Sequence, residues 1–425
     1  MNRPLRFCMI TTFYPPFNFG GDGIFVHRLA NELAARGHRV DVIHCTDAFR
    51  LLARRNMEQE YDDHPGVTVH GLKSPFGILS PLATHQTGFP FFKSGDIRGI
   101  LAKGYDVIHF HNISLVGGPK VLEYGSGIKL YTAHEYWLFC PTHLLFRFNR
   151  TPCAETRHCL LCALVYRIPP QCWRALGMIQ RYLGHLDAII APSIFCKEIY
   201  RRNFPGLPIV HLPNFASHDG ESIENDPKIT QEGPFFLFVG RLEKIKGLHT
   251  IIPVFQRHRT ARLLIAGAGS CEKKLRKLAA GSDTIRFLGH LDSRQLRSLY
   301  RQAVAVVVPS LCFEIFGTVI IEAFSEGTPA IVRDLGGMPE LIRESGGGFI
   351  YKTDDELVQA MDLLMSDQGY RHLLGRKAYA SFLDKWSADR HINDYLALIE
   401  EISAQRKAAP SLNGQRPGQD QDIEG

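Results

Sequence analysis

A chain of 425 residues is too long for one typical core, which predicts two or more domains. Its 45% apolar and 22% charged residues are ordinary for a globular chain, and no apolar run is long enough to span a bilayer. The opening MNRPLRFCMITTFYPP turns polar at Thr11 and Thr12, so it reads as a first strand, not a signal peptide; with ten cysteines, this predicts a reducing, cytoplasmic setting.

The net charge of +6 is unevenly spread. Residues 1–213 hold 23 Lys and Arg against 15 Asp and Glu, a balance of +8, while the remainder holds 26 against 28, a balance of −2. The first half therefore favours an anionic partner, a lipid head group or a phosphate. No nucleic-acid module is recognisable, so nucleic acid is not expected as a partner.

In chain order, Leu5–Thr12 predicts a strand, residues 14–23 (YPPFNFGGDG) a glycine-rich loop, Ile24–Arg36 a helix and Arg39–Cys45 a second strand. In this βαβ unit Gly20, Gly21 and Gly23 let backbone approach a ligand, or simply make a tight connection. Further strands are predicted at Val67–Leu72, Asp106–Phe110, Ile128–Ala133, Asp187–Ala191 and Ile209–Leu212, with helices at Gly95–Lys103 and Ser193–Arg202. That alternation makes residues 1–214 a doubly wound α/β domain. His111 and His134 fall at the carboxyl ends of two of its strands, where either a site or a structural role suits them.

The rhythm lapses between Cys140 and Trp173. Cys140, Cys153, Cys159 and Cys162 have only one tight pair, so a structural zinc site and ordinary buried thiols both remain open. Arg147, Arg150, Arg157, Arg167, Arg174 and Arg181 lie among aromatic and leucine residues, with Glu155 the one acid from 140 to 181. This composition suits an anionic membrane surface, or a solvated basic face over a small core.

Residues 213–233 are polar and aperiodic and read as a linker, after which a second α/β domain is predicted over residues 215–387. Its strands are placed at Phe235–Val239, Arg262–Ala266 and Thr284–Leu288, and its helices at Leu248–Arg257, Glu272–Ala280 and Ser293–Gln302. Gly240 opens a strand-to-helix loop that carries Arg241 and Lys246, and Gly267 and Gly269 close the next strand. Val304–Val308 is a buried strand, Gly317–Glu326 a helix and Ala330–Val332 the next strand. Glu314 therefore lies in the loop leaving a strand, and Glu322, with seven residues between the two, lies in the helix that follows. The helix start at Gly317 and Thr318 aims unpaired N–H groups at the crevice where Arg241 and Lys246 converge, a combination that fits a diphosphate. Residues 404–425 read as a disordered tail holding the chain's one D-x-D, Asp420 to Asp422.

These motifs resemble a known family. FVGRLEKIKG, the GAG at 267–269 and PSLCFEIFGTVIIEAFSEGTPAIVRDLGGMPELI are similar to the C-terminal domain of family 4 retaining glycosyltransferases, and YPPFNFGGDGIFVHRLANELAARGHRVDVI is similar to their opening. The resemblance implies the GT-B fold, two Rossmann-like domains facing across a cleft. It implies that Glu314, with the backbone of Ile315, Phe316 and Gly317, holds hydroxyls of a nucleotide-sugar donor, and that Glu322 holds the ribose. Arg241 and Lys246 would neutralise the diphosphate, Gly20 and Gly21 would approach it from the other domain, and His134, with His111, would line the acceptor side. It further implies that a last helix over 388–403 returns to the first domain and that no metal or other cofactor is needed. The acceptor would be a glycan or a lipid-linked glycan in surface polysaccharide or glycoconjugate assembly, at the inner face of the membrane. A sugar-nucleotide epimerase on the same fold and a non-catalytic nucleotide-sugar-binding protein are the competing readings.

Overall fold

The computed structural model describes residues 3–53, 61–156, 158–217 and 233–408. Arg157, residues 218–232 of the expected linker and residues 409–425, with Asp420 and Asp422, lie outside the described residues.

The first half runs β1 (Arg6–Ile10), α1 (Gly21–Ala35), β2 (Arg39–Cys45), α2 (Thr46–Leu52), β3 (Val67–Leu72), α3 (Leu79–Thr87), α4 (Ser94–Leu101), β4 (Val107–Phe110) and β5 (Ile128–Thr132). It continues through β6 (Phe146–Arg147), β7 (Thr151–Pro152), α5 (Cys159–Val165), α6 (Met178–Leu183), β8 (Ala188–Ala191), α7 (Ile194–Asn203) and β9 (Ile209–His211). Seven of these strands form one parallel sheet in the order β3-β2-β1-β4-β5-β8-β9. Its central strands are apolar on both faces because helices cover both, and β4 and β5 are buried along their whole length.

The second half runs β10 (Phe235–Val239), α8 (Leu248–Arg257), β11 (Arg262–Ala266), α9 (Glu272–Leu278), β12 (Ile285–Gly289), α10 (Ser293–Gln302), β13 (Ala305–Val308) and α11 (Thr318–Ser325). Then follow β14 (Ala330–Arg333), α12 (Met338–Ser345), β15 (Gly348–Tyr351), α13 (Asp354–Ser366), α14 (Gln368–Ser381) and α15 (Ala388–Ala408). The second parallel sheet has the order β12-β11-β10-β13-β14-β15. Strand order reverses at β1/β4 in one sheet and at β10/β13 in the other, and crevices for ligands open at such switch points.

The helix α15 leaves the second half and buries Ile392, Tyr395, Ile399 and Ile402 against Leu5, Phe7, Leu29 and Leu33 of the first. It also corrects the expected tail: residues 404–408 are helical, not disordered. The Arg406 guanidinium donates to the Asp187 carboxylate at 2.8 and 2.5 Å, and Arg406 and Lys407 sit at the negative end of the helix dipole.

The insert between β5 and α6 packs Trp137, Cys140, Leu145 and Trp173 into the core of the first half. Six of the seven described non-glycine residues with positive φ lie between His143 and Arg167, so the chain turns tightly here and keeps no α/β rhythm. Arg174 departs from the expected basic face. Its guanidinium lies 4.9 Å from the ring centres of both Trp137 and Trp173 and donates to the Trp137 carbonyl at 2.8 Å and to the Gln171 side chain at 2.6 Å. It is a cation that organises a small aromatic core.

At the start of α15, His391 Nδ1 donates to the Pro213 carbonyl at 2.6 Å, fastening the returning helix to the end of the first half. Burial pushes this imidazole down to about 4, outweighing the pull of the Pro213 carbonyl and Asp394. A histidine neutral in the folded chain but titrating near 6.5 when unfolded stabilises the fold fully above pH 6.5. That share, on the order of 3 kcal/mol, is lost as pH falls from 6.5 through 4. His391→Asn is therefore expected to flatten the decline in melting temperature across that window, and an unchanged slope would assign the titration to other groups.

Candidate active site

The loop after β10 places the cations. Gly240 and Gly267 have φ of 153° and 137°, and a Cβ on Gly267 would sit 2.0 Å from the Gly240 carbonyl oxygen. Only glycine lets the ends of β10 and β11 abut this closely. A single helical turn over Lys244–Lys246 then brings Lys246 Nζ within 2.6 Å of Glu314 Oε1, which also accepts from Ser310 Oγ at 2.7 Å. Burial pushes the Glu314 carboxyl up, but Lys246, Ser310 and Arg241 outweigh it and hold the group below the ordinary carboxylate value. Burial lowers Lys246 in turn, and Glu314 more than restores it. Both groups are charged in the ligand-free chain. Arg241 is exposed beside them and pairs with Glu243 at 3.1 Å.

Glu314 leads into the amino end of α11. No side chain caps this helix at Gly317, and among the described residues the N–H groups of Ile315, Phe316 and Gly317 meet no acceptor. With Thr318 they form a set of donors at a helix start, suited to phosphate or hydroxyl oxygens. The loop is held by Gly336, whose φ is 69° and whose added Cβ would lie 2.7 Å from the Glu314 backbone. Further along α11, Glu322 accepts from Tyr300 OH at 3.2 Å and from Arg28 Nη2 at 2.9 Å. Arg28 belongs to α1, so this ion pair crosses from one half to the other.

The first half supplies the opposite wall. Helix α1 starts at Gly21, earlier than the sequence suggests, and Gly20 stands before it without a side-chain cap. The Asp22 carboxylate in its first turn accepts from Asn112 Nδ2 at 3.2 Å. Close by, His111 Nδ1 and His134 Nε2 share a hydrogen bond of 3.0 Å. His109 stacks on His111 with ring centres 4.1 Å apart, and its own nitrogens bond Thr132 at 2.7 Å and Tyr395 of α15 at 2.9 Å. Burial pushes His134 down to about 4 against the pull of Asp22, and burial with His109 and His134 drives His111 well below its ordinary value. Both rings are neutral at pH 7, so they offer hydrogen bonds, not charge.

Several residues that the sequence did not single out join these walls. Ser193 Oγ, which also caps α7, donates to the Ile315 carbonyl at 2.6 Å. Glu340 accepts from the N–H groups of Ile194 and Phe195 at 2.8 and 2.6 Å, so a carboxylate of the second half completes the start of α7. The insert takes part as well. Phe146 is buried with Ile245 and Cys312, the neighbours of Lys246 and Glu314, and Lys244 Nζ donates to the Asn149 carbonyl at 2.7 Å. A serine before a helix and a basic residue on the polar face of α1 were legible signals for Ser193 and Arg28; nothing local marks Glu340 or Phe146.

Of the two readings left open for Cys140, Cys153, Cys159 and Cys162, the geometry favours ordinary thiols over a zinc site. Among the described residues no group of three or more His, Cys, Asp or Glu is arranged to hold a metal ion. The thiols have local partners instead: Cys140 with Thr142 at 3.3 Å, Cys153 with the Glu155 carbonyl at 2.9 Å and Cys162 with the Phe148 N–H at 3.3 Å.

Phe146→Ala is expected to destabilise the protein by about 3 kcal/mol through the cavity it leaves. It should also speed amide hydrogen exchange in 244–247 and 311–315 more than in β10 or β13. Uniform exchange across the second half would show that the insert does not brace these loops.

Comparison with known proteins follows the same division. Residues 19–219 match the family described as Glycosyltransferase Family 4, and residues 219–381 match Glycosyl transferases group 1. An uncharacterized glycosyltransferase of Methanocaldococcus jannaschii is 28% identical over 423 residues, covering 91% of this chain and 95% of the relative. Sucrose-phosphate synthase from Thermosynechococcus elongatus superposes with a TM-score of 0.72 at 19% identity, over 94% of this chain and 100% of that one. Anabaena HepE, solved in complex with UDP-glucose, does so with a TM-score of 0.61 at 16% identity, over 95% and 100%. With contiguous matches from residue 19 to residue 381 and two facing parallel α/β sheets, the chain belongs to the family 4, group 1 glycosyltransferases of GT-B fold.

Proposed function

We propose that the protein transfers a glycosyl unit from a nucleoside-diphosphate sugar to a glycan or lipid-linked acceptor, with retention of anomeric configuration and without a divalent metal. The observation that carries this reading is the gathering of Lys246 and Arg241 about Glu314, which leads into the uncapped start of α11, with Glu322 further along that helix held by Arg28 of α1. A departing nucleoside diphosphate gains negative charge in the transition state, so fixed cations and helix N–H groups that meet it there accelerate the step.

Donor binding then amounts to an exchange of partners. Lys246 turns from Glu314 to the diphosphate, which frees the carboxylate to accept from hydroxyls of the donor sugar alongside the N–H groups of Ile315, Phe316 and Gly317. Glu322 likewise exchanges Arg28 for the ribose hydroxyls. Neutral His134, braced by His111, offers a hydrogen bond to the sugar at the reacting centre. The leaving diphosphate and the incoming hydroxyl share one face of an oxocarbenium-like sugar, which gives retention. The HepE complex with UDP-glucose supports a nucleotide-sugar donor. The basic first half supports an acceptor carried at an anionic membrane, in surface polysaccharide or glycoconjugate assembly.

A thermal-shift screen across UDP-, GDP-, ADP- and TDP-sugars identifies the donor, because a ligand that binds only the folded chain raises its melting temperature. Incubation of that donor without acceptor should release nucleotide slowly, whereas an epimerised sugar would overturn the assignment. Arg241→Ala is expected to lower kcat/KM by on the order of 10²–10³ with an unchanged melting temperature, and near-wild-type turnover would remove Arg241 from the phosphate site. Glu314→Gln should impair transfer while calorimetry shows nucleotide affinity largely intact, and Glu322→Gln should weaken nucleotide binding itself. The opposite pattern would exchange the two roles.

A further inference from the structure

Helix α5 is amphipathic the wrong way round for a globular protein. Leu160, Leu161, Leu164 and Val165 recur at the spacing of one helical face, and each is between 53% and 59% exposed. The opposite face, with Cys162 and Ala163, is buried in the insert. The helix is held there at both ends of its inner side: Cys162 Sγ accepts from the Phe148 N–H at 3.3 Å, and Tyr166 OH, just past the last turn, donates to the Phe146 carbonyl at 2.7 Å. Leu176, a little further along the chain, is 79% exposed. Of the 19 exposed large apolar side chains among the described residues, ten fall in residues 76–92 and 160–176, two segments that pack on each other through Trp173 and His85. Such clustering marks a surface that is covered in use.

The rim indicates what covers it. Arg167, two residues past the end of α5, and Arg150, two residues past the Phe148 that bonds Cys162, are exposed, and among the described residues neither side chain meets a carboxylate. Glu155 is the one acid between Tyr136 and Leu186. A second copy docking through this face would set these arginines against themselves, whereas an anionic surface satisfies both the cations and the protruding aliphatic side chains.

We propose that the face formed by Leu160, Leu161, Leu164 and Val165, rimmed by Arg150 and Arg167, docks the protein on an anionic lipid bilayer. The leucines enter the acyl boundary and the guanidinium groups stay at the head groups. The docked helix bonds the Phe146 carbonyl, and the Phe146 ring packs on the neighbours of Lys246 and Glu314, so the cleft is held beside the bilayer plane. This deepens the reading of a lipid-linked acceptor and rests on it only for the acceptor's location; lipid docking itself needs no transfer reaction.

The test is co-sedimentation of the full chain with vesicles of phosphatidylglycerol and phosphatidylcholine in equal parts, compared with phosphatidylcholine alone. The wild type should pellet with the anionic vesicles. A Leu161→Ser, Leu164→Ser variant should lose about tenfold or more in partitioning. Arg150→Gln with Arg167→Gln should lose the preference for phosphatidylglycerol and its sensitivity to salt. All substituted positions are exposed, and an unchanged melting temperature and nucleotide thermal shift confirm folding. Wild type that stays in the supernatant overturns the proposal, as do leucine variants that pellet like wild type. So does a dimer in sedimentation velocity, abolished by the leucine variants, with no binding to vesicles. Because nucleotide release from the donor is read on the same samples, failure of docking and failure of the transferase reading give different results.

Discussion

The constraint on which the site depends is the cost of keeping two carboxylates in a narrow cleft between two domains. A carboxylate withdrawn from water needs a cation or several hydrogen bonds, and both glutamates have been given them. Glu314 has Lys246 and Ser310 from its own domain. Glu322 has Tyr300 from its own domain and Arg28 from the other. The two pairings differ in consequence. The first lies within one half, whereas the second ties the two halves together.

Other contacts between the halves are both apolar and polar, and several of them involve the loop that carries Glu314. Ile315 shows the arrangement most clearly. Its side chain packs into the core of the first domain, its carbonyl accepts from Ser193, and its N–H lies beside Glu314. Glu340 completes the start of α7 from the far side of that loop. The loop that carries Glu314 is therefore held by direct contacts from both domains.

Much of this was legible in the sequence, for reasons particular elements make plain. The strands of both sheets are runs of β-branched and aromatic residues closed by glycine, proline or a polar residue, so Val304–Val308 and Arg262–Ala266 emerged close to their observed bounds. The loops that end them carried Gly240, Gly267, Lys246 and Glu314 to the cleft because a parallel sheet leaves few other places for them. The unread part is of two kinds. Contacts such as Arg28 with Glu322, or Phe146 with Ile245, join residues far apart in the chain, and no local pattern encodes them. The insert misled for a different reason: composition counts arginines but not their surroundings, and Arg174, taken with the others for a surface cation, lies between two tryptophans. The docking surface proposed above pairs Arg150 and Arg167 with leucines whose exposure only the fold reveals.

The end of the chain reaches the reacting centre by a comparable route. Tyr395 of α15 bonds His109, which stacks on His111, which in turn bonds His134. Four aromatic groups are thus stacked or bonded in series, and burial keeps all three imidazoles neutral. A neutral imidazole has one donor and one acceptor nitrogen, so the bond between His111 and His134 makes the tautomer of one ring fix that of the other. His111 Nε2 is buried without a partner among the described residues. An orphaned lone pair costs less than an orphaned N–H, so the favoured tautomer places the His111 proton on Nδ1, donating to His134 Nε2. That leaves the His134 proton on Nδ1. In this arrangement the remaining His134 nitrogen, Nδ1, carries a proton, so the ring presents a hydrogen-bond donor and not a base.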